Sequence, residues 1–202
     1  MRDHALRKYK DRLLETVARR WPASVHPNQI SWAALGVGLL AAWASWQQAY
    51  SWALVLWLAN RLLDGLDGTV ARLHHKQSDF GGYLDLVLDF VVYLAIPVGL
   101  VAAAPASHHL WALVLLLTSY VLNVISWSVL STLLHKRGAV SSAAVTAVTM
   151  PPGLIEGAET ILFYLLFLLW PDVLFLLLLL LALLVYVTVV QRIWWAYRFF
   201  NS

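Results

Sequence analysis

Residues 22–60 read PASVHPNQISWAALGVGLLAAWASWQQAYSWALVLWLAN, a run from Pro22 to Asn60 without one Asp, Glu, Lys or Arg. A helix needs about 20 apolar residues to cross the hydrocarbon core of a bilayer, so this run is too long for one crossing and must fold back on itself. Gln47 and Gln48, followed by Ala-Tyr-Ser, mark the reversal and predict helices over 28–46 and 52–73. A second uncharged run, Phe90 to Leu134, is interrupted by Ala104-Pro105-Ala106-Ser107-His108-His109, because proline removes a helix donor. It predicts helices over 82–103 and 108–134. Beyond a Lys136-Arg137-Gly138 loop and a Pro151-Pro152-Gly153 breaker, helices over 154–170 and 173–197 complete six spans. The expected fold is all-α: a polytopic membrane protein of six transmembrane helices.

Composition agrees. Of 202 residues, 61% are hydrophobic and only 12% charged, about half the charge that a soluble domain uses to clothe its surface. A soluble globular domain and a disordered chain are both excluded. The absence of cysteine removes disulfides, thiolate metal sites and cysteine nucleophiles, so any catalysis uses oxygen or nitrogen groups. A net charge of +3 and a pI near 9.3 raise the question of nucleic acid, but the distribution of charge argues against it. Arg2, Arg7, Lys8, Lys10, Arg12 and Arg19 fall before residue 20. There Leu6, Tyr9, Leu13, Val17 and Trp21 recur at helical spacing opposite Lys8, Arg12, Glu15 and Arg19, which predicts an amphipathic helix on the membrane surface. Residues 1–23 are therefore assigned to a juxtamembrane helix and residues 24–202 to the six-helix domain. No nucleic-acid partner is expected.

Six spans put both termini on one side, and that side also receives Arg72, Lys76, Lys136, Arg137 and Arg198, whereas the loops around Gln47, Pro105 and Pro171 carry no Lys or Arg. By the positive-inside rule the basic side is cytoplasmic. Trp46, Trp52, Trp111 and Trp170 fall near one interface and Trp21, Trp194 and Trp195 near the other, as aromatic belts require. The deeper Trp43, Trp57 and Trp127 read as lipid-facing or packing residues. Gly36 and Gly38 allow close helix contact but do not form a GxxxG pair.

Asp64, Asp67, Asp79, Asp85 and Asp89 place five of the eleven acidic residues in one short window. Asp64 and Asp67 are three apart, Asp85 and Asp89 four apart, so each pair projects from one helix face. The two pairs are expected to face each other across antiparallel neighbours, the second and third spans. At mid-membrane each Asp costs roughly 2.5 to 3.5 kcal/mol, so the cluster needs counter-charge. Arg61 and Arg72 supply two positive charges against four carboxylates, and an oxygen-ligated divalent cation, magnesium or manganese rather than zinc, matches the remainder. A diphosphate substrate would call for a second ion. Gly68, Arg72, Gly81 and Gly82 flank the acids, and glycine backbone with guanidinium implies a phosphate-bearing ligand. Thr69 is expected to bond its own backbone, and His74 and His75 to be solvated at the interface.

Asp64-Gly65-Leu66-Asp67-Gly68-Thr69-Val70-Ala71-Arg72, eight residues, then Gly81-Gly82-Tyr83-Leu84-Asp85-Leu86-Val87-Leu88-Asp89 matches D-x-x-D-G-x-x-A-R-(x8)-G-x-x-x-D-x-x-x-D at all eight specified positions. The chain thus resembles the CDP-alcohol phosphotransferases (CDP-alcohol phosphatidyltransferases), and the six-span pattern extends the resemblance over nearly its whole length. The resemblance implies transfer of a phosphatidyl group from CDP-diacylglycerol to a small hydroxyl-bearing acceptor with release of CMP, in phospholipid biosynthesis. It implies that Asp64, Asp67, Asp85 and Asp89 hold two Mg2+ or Mn2+ ions, that Asp89 is also the catalytic base, and that Asp67, Gly68, Ala71, Arg72 and Gly81 line the nucleotide site. It further implies a homodimer, and with the positive-inside reading above the enzyme is expected among the lipids of a bacterial or archaeal cell membrane, its active site at the cytoplasmic face.

For the acceptor, Lys136, Arg137, Arg192 and Arg198 can form an anion pocket or serve only as positive-inside residues. Gly157-Ala158-Glu159-Thr160 lacks the basic residues that similar segments of inositol-phosphate-using relatives carry. Glu156 and Glu159 can hold an amine or hydroxyls, pair with Arg192, or cap a helix start. A divalent-cation transporter using the same aspartates is the alternative function, and a noncatalytic scaffold a third.

Overall fold

The computed structural model describes residues 15–22, 25–137 and 153–201. Among these residues the full-length α-helices are α1 (Pro27–Trp46), α2 (Tyr50–Leu73), α3 (Asp79–Ala103), α4 (Ser107–Lys136), α5 (Gly157–Leu169) and α6 (Leu174–Asn201), with a 3-10 turn at Pro171–Val173 before α6. Among the described residues every regular element is helical. Among the described residues, three stretches are long and apolar enough to cross a membrane: α3, α4, and Pro171–Asn201. The apolar α5 has 13 residues, a rise of about 20 Å against a hydrocarbon core of about 30 Å.

The ends of the helices follow from local chemistry. His26 caps α1: its Nδ1 accepts from the Asn28 amide at 3.3 Å, and the Gln29 side chain accepts from the His26 amide at 2.9 Å. The reversal predicted at Gln47–Gln48 is a left-handed residue, Gln48, with φ 59°, and the Ala49 amide reaching back to the Ala44 carbonyl at 2.9 Å. α2 ends in the same way, with His75 at φ 53° and the Lys76 amide on the Ala71 carbonyl at 2.9 Å, so the orphan carbonyls of both last turns are satisfied. α3 begins three residues before the expected Gly82 because the Ser78 hydroxyl accepts from the Gly81 amide at 3.0 Å.

The chain forms two compact units, divided at Ala103. In the first, α1 packs along both α2 and α3. α1 does so through small side chains, with Ser31, Ala34, Gly38, Ala41 and Ser45 all buried at helical spacing. A Cβ on Gly38 would run into Val92 of α3 and stand 3.0 Å from Asn60 Nδ2 of α2, and one on Gly99 would strike the Ala42 carbonyl. Gly36, by contrast, faces open space. α2 and α3, expected as antiparallel neighbours, make few close backbone approaches, yet Arg61–Asp89, Arg61–Tyr93 and Trp57–Tyr93 contacts join them. α1 takes the intimate contacts with both, and α2 and α3 are bridged by long side chains. The predicted juxtamembrane helix lies largely outside the described residues. Its last turn is helical, and Ala18 is fully buried against Ile30, Leu66 and Val70; Val17, expected on the apolar face, is exposed.

In the second unit α4 packs along α6, and α5 rests on α6. Leu116, Tyr164, Phe167, Leu178, Leu181 and Val185 form its buried core. Polar bridges tie it: Tyr120 Oη to Tyr164 Oη at 3.2 Å and Thr118 Oγ1 to Tyr186 Oη at 2.8 Å. The Pro151-Pro152 breaker lies outside the described residues. α5 starts at Gly157, not Leu154, because Glu156 takes the N-cap position and its side chain and that of Glu159 form a reciprocal capping box. Trp46, Trp52, Trp111, Trp170 and Trp194 are exposed and Trp57 and Trp127 are buried, which fits the belt and packing readings; Trp43 is exposed.

Candidate active site

Asp64 and Asp67 on α2 and Asp85 and Asp89 on α3 line a single cavity of the first unit, together with Ser31, Ala34 and Leu35 of α1 and Asn60 and Arg61 of α2. Its volume is about 10 Å3, on the order of one water-sized body. Asp67 is the most enclosed acid, at 4% exposure, and accepts a 2.5 Å hydrogen bond from Ser31 Oγ, contributed from 36 residues away.

Arg61 dominates the other wall. Its Nη2 donates to Asp89 Oδ1, and Nη1 stands 3.6 Å from Asp64 Oδ2. Nη1 also donates to Tyr93 Oη at 3.1 Å, while Nε and Nη2 donate to Asn60 Oδ1 at 2.9 and 2.7 Å. Asn60 is itself anchored, its Nδ2 donating to the Ala34 carbonyl at 2.7 Å. The guanidinium carbon lies 4.6 Å from the Trp57 ring centre and 5.0 Å from that of Tyr93. These two rings meet edge to face at 5.8 Å. Desolvated cation–π contacts of this kind are worth about 2 kcal/mol.

The donor chemistry of the cavity fits a hard divalent cation: four carboxylates, a hydroxyl and an amide oxygen, with no sulfur. As placed, no three acidic or histidine side chains among the described residues stand close enough to enclose an ion by themselves. Asp89 and Asp64 are turned toward Arg61 instead.

The remaining predicted residues lie elsewhere. Gly68, Ala71 and Arg72 occupy the last two turns of α2 and Gly81 the first turn of α3, and none lines the acidic cavity. Arg72 is exposed and its Nη2 reaches Thr69 Oγ1 at 3.2 Å. Thr69, as expected, bonds its own backbone, the Gly65 carbonyl at 2.8 Å. A Cβ on Gly68 would stand 3.3 Å from Arg72 Nη1, and one on Gly81 would stand 3.3 Å from Asn28 Oδ1. His75 is exposed; His74, expected to be solvated, is half-buried with Nε2 enclosed.

In the second unit, Lys136 is exposed, Arg137 stacks 4.6 Å from the Phe200 ring centre, and Arg198 lies 4.3 Å from that of Trp194. Arg192 is buried and donates to Asn123 Oδ1. Glu156 Oε1 accepts from the Gly153 amide and Glu159 Oε2 from the Glu156 amide, both at 3.0 Å, so of the readings open for this pair the helix cap is the one formed. Sequence reasoning missed Ser31, Asn60 and Tyr93. Ser31 and Asn60 are polar side chains in an otherwise oily run, which is the signal that marks them.

A family model, CDP-alcohol phosphatidyltransferase, matches residues 24–194. The chain is 33% identical over 182 residues to the inner membrane protein YnjF of Escherichia coli, covering 88% of this chain and 86% of that one. It is 32% identical over 78 residues to the CDP-diacylglycerol–serine O-phosphatidyltransferase of Helicobacter pylori J99, 38% of this chain and 32% of the relative. Among solved structures, phosphatidylinositol phosphate synthase of Mycobacterium tuberculosis, with CDP-DAG bound, superposes with a TM-score of 0.73 at 19% identity, covering 92% of this chain and 94% of that one. The same enzyme in complex with manganese and citrate gives 0.70, also at 19% identity, over 93% and 88%.

The chain belongs to the CDP-alcohol phosphatidyltransferase family. It is therefore an enzyme of phospholipid biosynthesis, and its apolar helices make it an integral membrane protein. The cation-transporter alternative finds no support among these relatives.

Proposed function

We propose that the chain transfers a phosphatidyl group from CDP-diacylglycerol to a small hydroxyl acceptor and releases CMP, with Asp64, Asp67, Asp85 and Asp89 holding Mg2+ or Mn2+. The convergence of the two carboxylate pairs on one cavity carries this reading. Arg61 offsets one of four negative charges there, and the three that remain call for a divalent ion, with a second once a diphosphate enters. When bound, the metal supplies charge stabilisation for the diphosphate and the departing CMP.

The chain's own residues divide the remaining work. Ser31 holds Asp67 in one orientation. Gly68, Ala71, Arg72 and Gly81 form the nucleotide wall in this reading, with Arg72 gripping phosphate oxygens. Asp89 accepts the acceptor's hydroxyl proton as its oxygen attacks phosphorus and the bond to the CMP oxygen breaks. Lys136, Arg137, Glu156, Glu159 and Arg192 remain the acceptor candidates. Six spans, a cytoplasmic active site in a bacterial or archaeal membrane and a homodimer complete the reading; the spans rest on the uncharged runs and their breakers, the sidedness on the distribution of Lys and Arg, the homodimer on the family alone.

The test is CMP release from CDP-diacylglycerol by purified protein with Mg2+ or Mn2+ and, in turn, serine, inositol, glycerol, their phosphates, choline and phosphatidylglycerol. One acceptor should support turnover that EDTA abolishes. Turnover indifferent to EDTA, or none with any acceptor, contradicts the reading.

A further inference from the structure

Arg61 stands outside the family signature, three residues before Asp64, yet its side chain is only 10% exposed. It is held on several sides: Asn60 Oδ1 receives Nε and Nη2, Tyr93 Oη receives Nη1, Asp89 Oδ1 receives Nη2, and the Trp57 and Tyr93 rings lie 4.6 and 5.0 Å from the guanidinium carbon. An arginine serving only as loose counter-charge would need none of this. Because Asn60 is fixed in turn by the Ala34 carbonyl, the bracket runs from α1 through α2 to Asp89 on α3.

We propose that Arg61 is a positioning residue and resident cation of the acidic cavity: it fixes Asp89 through Oδ1 and occupies carboxylate charge that a divalent ion would otherwise neutralise. The inference deepens the reaction proposed above and rests on it. Two consequences follow from separate properties of the side chain. Its positive charge weakens divalent-ion binding, and its planar fork, which an ammonium cannot reproduce, orients Asp89 for proton transfer.

The purified protein in detergent is titrated with Mn2+, free ion being read by electron paramagnetic resonance, and CMP release is measured with whichever acceptor of the panel above supports turnover. Arg61→Met should bind Mn2+ about 10-fold tighter, as expected when a unit charge leaves a largely buried site, and should melt at a lower temperature than the parent without metal. Arg61→Lys should bind Mn2+ within about 2-fold of the parent because the charge stays. Its kcat should fall about 10-fold or more with KM for CDP-diacylglycerol little changed, because an interaction of the transition state is lost. Mn2+ affinity unchanged or weakened in Arg61→Met, or parental kcat in Arg61→Lys, overturns the proposal; should Arg61→Met fail to fold, Arg61→Lys decides alone. A parent that neither binds Mn2+ nor releases CMP overturns the underlying reaction, whereas an active parent whose variants behave like it overturns only the role of Arg61.

Discussion

Asp89 and Asp67 are both carboxylates of one cavity, but their partners differ and so should their variants. Asp89→Asn keeps the shape and an acceptor oxygen for Arg61 while removing the basic site. CMP release should therefore fall by about 10^2 to 10^4-fold, the usual contribution of a general base, with the helical circular dichroism unchanged. Ser31→Ala removes the hydroxyl from Asp67. A buried hydrogen bond to a charged group is worth about 1.5 to 3 kcal/mol, so the melting temperature should drop measurably, and a parental melting temperature would contradict the contact. The four aspartates were legible because their spacing is a helix period and because charge in an oily run demands a reason. Asn60 carried only the weaker signal of a polar side chain in an oily run, and Tyr93 carried none, since it acts through Arg61 and is not ionised. Arg61 was legible as counter-charge, but its aromatic cage depends on Tyr93, which lies 32 residues away in sequence.

At the scale of the helices, the uncharged runs, turn residues and prolines located all six elements to within a few residues. What they did not give was which helix packs on which. Sequence adjacency suggested α2 against α3, but the small residues of α1 allow it to approach both, with Gly38 seated against Val92 and Asn60. The alternation of Ser31, Ala34, Gly38, Ala41 and Ser45 is a signal for this, more regular than the Gly36–Gly38 pair that first attracts notice. Gly38→Ala should destabilise the protein by about 1 to 3 kcal/mol through overpacking. Gly36→Ala, facing open space, should be neutral or stabilising by up to about 1 kcal/mol, as for any glycine replaced inside a helix. Thermal melts in detergent separate the two, and equal shifts would contradict the packing of α1. For α5, Glu156→Ala removes the cap that accepts from the Gly153 amide and should cost about 1 kcal/mol. If instead stability holds while the acceptor KM rises, Glu156 serves the acceptor.

For the whole molecule, the proposed topology rests on where Lys and Arg fall, because a chain with so few charges concentrates them at the loops that stay in the cytoplasm. The absence of cysteine makes the test clean. In inverted and right-side-out vesicles, Asn201→Cys and His75→Cys should react with an impermeant maleimide only from the cytoplasmic side, and Gln47→Cys only from the other; labelling of all three from one side would contradict six spans. Topology matters here for the proposed chemistry, in which an oily bundle carries four aspartates in order to hold divalent ions beside a nucleotide-lipid diphosphate. Diffraction at the manganese edge from crystals grown with Mn2+ tests it most directly. Anomalous density is expected among Asp64, Asp67, Asp85 and Asp89, with its loss in Asp85→Asn; a cavity without such density at saturating Mn2+, or manganese bound only elsewhere, would overturn the proposed metal site.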